Sequence, residues 1–160
     1  MSWVPWVLVV HVLGAIIAFG PVFAFPFIGA FGGKEPAHSA YTLRLTAMLS
    51  DRIVIPLALL QGITGLTLLL LLGFDLTQPA YRWLLSAIVL YLIAISFAIG
   101  VQRRNSHRLI ELVMAPRPEN APPGPPPGAP ALLKSVQRGG MLLASLIFVI
   151  VVLMVIKPAF

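Results

Sequence analysis

Four apolar stretches dominate this chain: Trp3 to Phe31, Ile53 to Gly73, Tyr81 to Val101 and Gly140 to Ile156. The only charge inside any of them is Arg82, at the start of the third. About 20 such residues, rising 1.5 Å each, cross the roughly 30 Å of hydrocarbon in a bilayer. The sequence therefore predicts an all-α polytopic membrane protein, a four-transmembrane-helix bundle forming a single domain over residues 1–160. Its spans fall at about 3–25, 53–73, 81–101 and 140–156. Composition excludes the soluble alternative, since 59% of the residues are hydrophobic and 10% charged where soluble domains carry about 25% charge. There is no cysteine, which removes disulfide frameworks, thiol catalysis and thiolate metal sites.

At 29 residues the first stretch is longer than one crossing requires. Pro21 and Pro26 each remove a backbone donor, so the membrane helix is expected to reach about Phe25 and leave through a bent segment at Gly29, Gly32 and Gly33. No Lys or Arg precedes Lys34, so this stretch lacks the basic start of a cleaved secretory signal and is expected to stay in the mature protein. The connections 32–52 and 102–139 share one side and carry nine basic residues: Lys34, Arg44, Arg52, Arg103, Arg104, Arg108, Arg117, Lys134 and Arg138. The other side has two, Arg82 and Lys157. By the positive-inside rule both connections face the cytoplasm and both termini face outward. The net charge of +6 is thus a topology signal, and nucleic acid is not an expected partner.

Lys34-Glu35-Pro36 can open a helix, and Tyr41, Leu45, Met48, Leu49 and Arg52 continue it with helical spacing into the second span. Past the third span, Gln102 to Met114 reads as an amphipathic continuation suited to anionic headgroups. It is basic at Arg103, Arg104 and Arg108 and apolar at Leu109, Ile110, Leu112 and Val113. Pro116 to Pro130 predicts a hydrated, polyproline-like tether. No repeat relates the two helix pairs, unlike an inverted-repeat transporter.

Polar groups in hydrocarbon are costly and ask for a partner or a purpose. His11, the only histidine in a span, lies about 12 Å below the outer end of the first helix. At similar depth the antiparallel second span presents Gln61, Thr64 and Gly65 on one face, and the third offers Ser86 and Tyr91. One reading makes His11, Gln61, Thr64 and Tyr91 a cofactor pocket for haem b or a quinone, with His11 as metal ligand only if haem is bound. Another makes them interhelical hydrogen bonds in a non-enzymatic subunit or scaffold with no catalytic residue. A third is a proton-coupled carrier of a small solute. Arg44 and Asp51, seven apart, share a helical stripe and are expected to pair. Arg44 and Arg52 are candidates for contact with a lipid headgroup or a haem propionate, the alternative being interfacial anchoring. Trp3, Trp6 and Trp83 suit an aromatic belt. Small-residue pairs such as Ala94/Ala98 and Ser96/Gly100 allow close packing within the bundle, in a homo-oligomer or against a membrane partner protein.

The segments HVLGAIIAFGPVF at 11–23 and IPLALLQGITGLTL at 55–68 resemble the uncharacterised bacterial four-helix proteins known as predicted integral membrane proteins, which implies a bacterial cytoplasmic membrane. In outline the chain is also similar to copper-resistance D-like proteins and to the haem-containing membrane protoporphyrinogen oxidase. The latter resemblance implies a haem role for the helix-1 histidine, here His11, and for a helix-3 lysine after a tryptophan. The matching stretch, Trp83-Leu84-Leu85-Ser86-Ala87, has no lysine, which puts that oxidase activity in doubt. Copper import would require soft ligands, and the five methionines follow no spacing pattern.

Overall fold

The computed structural model describes residues 3–34, 38–116, 118 and 124–158, all helix, turn or coil with no strand among them. Six α-helices form: α1 (Val4–Lys34), α2 (Ser39–Leu49), α3 (Ile55–Leu72), α4 (Arg82–Phe97), α5 (Arg103–Met114) and α6 (Ala129–Ile156). A π turn at Ser50–Val54 fuses α2 to α3, and another at Ala98–Gln102 fuses α4 to α5. Four rods result, each long and apolar enough to cross a membrane: Val4–Lys34, Ser39–Leu72, Pro79–Met114 and Ala129–Ile156.

α1 does not leave the helix at Phe25. It continues through Pro21 and Pro26 to Lys34, a run of 31 residues, or about 46 Å. Each proline costs one hydrogen bond, whereas unwinding in lipid would strand several backbone groups without water. The 34 residues of Ser39–Leu72 and the 36 of Pro79–Met114 would be about 51 and 54 Å long. Both overhang the bilayer at the basic end. α6 starts at Ala129 with Pro130 in its first turn, so the helix takes up residues that the sequence assigned to the connection. Six residues of the tether, 117 and 119–123, fall outside the described residues, as do Glu35 and Pro36 at the expected helix start.

At the opposite end α3 stops at Gly73, whose φ of 65° closes the helix through an N–H bond to the Leu69 carbonyl. The Asp75 carboxylate then accepts from the Thr77 amide at 3.0 Å and the Thr77 hydroxyl at 2.6 Å, a side-chain turn that delivers the chain to α4. Here the Lys157 ammonium lies 5.7 Å from the centre of the Trp83 ring, tying the end of α6 to the start of α4.

The packing order is α3–α1–α6–α4, with few contacts between α3 and α4 themselves. Interior positions are mostly small: Ala18, Ala47, Ala58, Ala87 and Ala94 are buried, while Leu13, Ile16, Ile63, Leu70, Leu92, Phe148 and Val155 face outward. That inversion of the soluble pattern is what lipid selects, since leucine gains nothing by leaving hydrocarbon and close backbones gain dispersion contact. At Gly32 a Cβ would run into Thr42, and at Gly139 into the Gln102 side chain and the Phe97 ring. The Gln102 amide donates to the Val136 carbonyl at 2.9 Å, locking α6 against the second π turn.

Candidate functional site

α1 and α3 run antiparallel, and their polar residues meet at one level. The half-buried His11 ring lies between Gln61 and Thr64, both buried on α3. His11 Nδ1 is 2.8 Å from Thr64 Oγ1, and His11 Nε2 is 3.0 Å from Gln61 Nε2. The donors can be assigned by satisfying every group. The Gln61 amide donates to Nε2, so the ring proton sits on Nδ1 and is given to Thr64 Oγ1. Thr64 then donates to the carbonyl of Leu60 or Gln61, each 3.1 Å away. The imidazole is thus neutral with both nitrogens engaged. Gln61 Oε1 is left over, buried and without a partner. Turning the amide over would strand two N–H donors in its place, the worse arrangement.

Glycines allow this approach. A Cβ at Gly65 would stand 3.2 Å from His11 Cε1, and one at Gly14 would stand 3.0 Å from Gln61 Oε1. Tyr91 does not join His11. Its hydroxyl donates to the Ala58 carbonyl at 2.9 Å, and a Cβ at Gly62 would lie 2.5 Å from that hydroxyl. Tyr91 therefore bridges α4 to α3 at Ala58 and Gly62. Ser86 makes no hydrogen bond to the cluster.

Iron needs a free imidazole nitrogen. Gln61 covers Nε2 and Thr64 covers Nδ1, while His38 and His107 belong to the basic end, far from His11 in depth. Among the described residues no group of three or more His, Cys, Asp or Glu side chains could hold a metal ion. The residues present do not fit a haem iron at His11 unless Gln61 moves aside. A quinone carbonyl would need a donor, and the ring N–H of His11 is already given to Thr64.

At the basic end the sequence expectation is corrected. Asp51 does not pair with Arg44 on its own rod but reaches across to α5, accepting from Arg103 Nε at 2.8 Å and His107 Nε2 at 2.7 Å. Arg103 and His107 are four apart and share one face of α5. The packing of α2 on α5 turns Asp51 toward that face. Reading single rods missed this bridge, although the i, i+4 spacing opposite a lone carboxylate at mirror depth was the available signal. Arg44 and Arg52 have no ion-pair partner among the described residues.

Fold and site together define a four-span helical membrane protein with a half-buried histidine clasp and a basic, ion-paired end. The chain belongs to the family described as predicted integral membrane protein (DUF2269), whose profile matches residues 5–158. No curated protein and no solved structure matches it significantly.

Proposed function

We propose that the protein is a non-catalytic subunit or scaffold of the bacterial cytoplasmic membrane, in which His11 serves as an interhelical clasp. One observation carries the reading: both ring nitrogens of His11 are taken up by side chains of α3. In this role the outward Leu, Ile, Val and Phe side chains face lipid, a second copy or a membrane partner protein. The nine-to-two distribution of basic residues supports placing the basic end in the cytoplasm. The test is an absorption spectrum of protein purified in detergent from cells with ample haem. A colourless preparation is expected; a Soret band lost in His11→Ala would refute the clasp and restore the haem reading. Extraction in polymer-bounded native membrane discs should also give a complex larger than one chain. A lone chain would refute the subunit role.

The unpartnered Gln61 Oε1 favours a second reading, proton acceptance at His11 in a proton-coupled carrier. A protonated ring carries two donors, and turning the Gln61 amide would present Oε1 to Nε2–H while Thr64 Oγ1 still accepts from Nδ1–H. Nitrogen NMR of the labelled His11 ring separates the two readings. The clasp keeps a single ring proton as the pH is lowered, whereas the carrier gains a second.

A further inference from the structure

We propose that the Arg104 and Arg108 face of α5 binds the phosphodiester of an anionic glycerophospholipid. These two residues line a shallow, open depression on the surface of α5 together with Arg103, His107 and Glu111. Asp51 neutralises one wall of it by holding Arg103 and His107. Arg104 and Arg108 are exposed, four residues apart, and have no ion-pair or hydrogen-bond partner among the described residues. Two free guanidinium forks on one helical face suit the paired oxygens of a phosphate.

Depth selects the source of that phosphate. α5 prolongs α4 beyond Val101, the last residue of the third apolar stretch, so Arg104 stands about 4–5 Å and Arg108 about 10 Å past the hydrocarbon. The headgroup layer is about 5–8 Å thick on each side. Arg104 is inside it, and Arg108 reaches back with its long stem. Leu109, buried on the other side of α5, fixes the helix so that the two arginines point away from the bundle. The Asp51 bridge holds the same helix to the end of the second rod. Phosphatidylglycerol, an anionic glycerophospholipid whose headgroup carries no cation of its own, is the appropriate probe; Glu111, about 15 Å past Val101, lies outside the headgroup layer.

Native mass spectrometry of the full chain in detergent, titrated with phosphatidylglycerol or phosphatidylcholine, tests the site. Wild type should retain phosphatidylglycerol in preference to phosphatidylcholine. Arg104→Gln/Arg108→Gln should weaken that retention about 30-fold, equivalent to about 1 kcal/mol per arginine at the membrane surface. Arg138→Gln, which removes an exposed charge at the same end, should leave it unchanged. Retention in the double variant equal to wild type, or an equal loss in Arg138→Gln, overturns the proposal. Displacement of the lipid by an equimolar amount of glycerol 3-phosphate also overturns it, in favour of a soluble phosphate ester. Should the glutamine variant not fold, Arg104→Lys/Arg108→Lys keeps the charge without the fork. Its expected loss is about threefold, and unchanged binding there overturns the proposal equally.

Discussion

Replacing Gln61 with leucine asks whether the polar cluster is a structural clasp or a site strained for another purpose. The substitution removes the donor to His11 Nε2 and, with it, the buried Oε1 that has no partner. Interhelical hydrogen bonds in membranes average about 0.6 kcal/mol and reach about 1.7, while an unsatisfied buried polar atom costs about 1–3 kcal/mol. Loss of the bond leaves His11 Nε2 as an open acceptor, but loss of the orphan oxygen relieves a penalty of similar size. The two nearly cancel, so Gln61→Leu should lie within about 0.5 kcal/mol of wild type. Thr64→Val has no such relief. It leaves the Nδ1 proton facing a methyl group in place of the oxygen that stood 2.8 Å from the ring nitrogen, and the ring can escape only by changing tautomer and turning the Gln61 amide. That rearrangement strands the amide donors, so a loss of about 1–2 kcal/mol is expected. The assay is reversible unfolding in mixed micelles by added sodium dodecyl sulfate, followed by circular dichroism. If Gln61→Leu is the more damaging by over 1 kcal/mol, about a fivefold change in the folding constant, the donor assignment is wrong and Gln61 holds more than His11.

Gly62→Ala should cost about 1–3 kcal/mol by overpacking, because its Cβ meets the Tyr91 hydroxyl at 2.5 Å. Tyr91→Phe in the same background should recover part of that loss in the same unfolding assay; no recovery would place the strain elsewhere. Between α3 and α4, hydrogen bonds from the Thr77 hydroxyl and amide, and then from Gln78, hold the Asp75 carboxyl below its ordinary value of 3.8. The turn's contribution is therefore complete above 3.8 and is lost as pH falls through the lower, folded value. The Thr77 amide shift in NMR should titrate with a midpoint under 3.8, and a midpoint above it would show that the turn is not closed. For orientation, a cysteine at Gln78 should react with an impermeant thiol reagent on intact cells while one at Ala131 should not. The reverse pattern would overturn the charge-based topology.

Lipid made the four rods readable, since an apolar stretch without charge has few other places to go. The same solvent explains why the ends were not readable. Pro21 and Pro26 would close a helix in water, yet α1 passes through both because an opened backbone in hydrocarbon has nothing to bond. Counting depth along two antiparallel helices was enough to bring His11 to Gln61 and Thr64. Tyr91 shares their level, but its direction depends on the rotation of α4 about its own axis. Its place beside Gly62 is set by tertiary packing, and so is the reach of Asp51 to α5.

The two polar clusters sit where the apolar packing is least able to define the fold by itself. Small residues let helices approach but hardly discriminate one rotation or axial shift from another, since one alanine face slides over the next at little cost. A hydrogen bond between buried groups has no such tolerance: displacing α1 by one residue moves the His11 ring about 1.5 Å along the axis and breaks both contacts with α3. The Asp51 bridge imposes the same condition between the second and third rods, whose transmembrane parts α3 and α4 touch only sparsely. Removing both clusters, by Thr64→Val with Asp51→Asn, should therefore keep the helical content while loosening the register between rods. Disulfide trapping with paired cysteines at Gly65 and His11 is closed to this test, because both positions belong to the clasp. Cysteines at Leu13 and Leu60, one outward-facing position on each helix, can instead carry spin labels. A single sharp distance in wild type should broaden in the double variant, and an unchanged distribution would mean that the alanine packing alone sets the register.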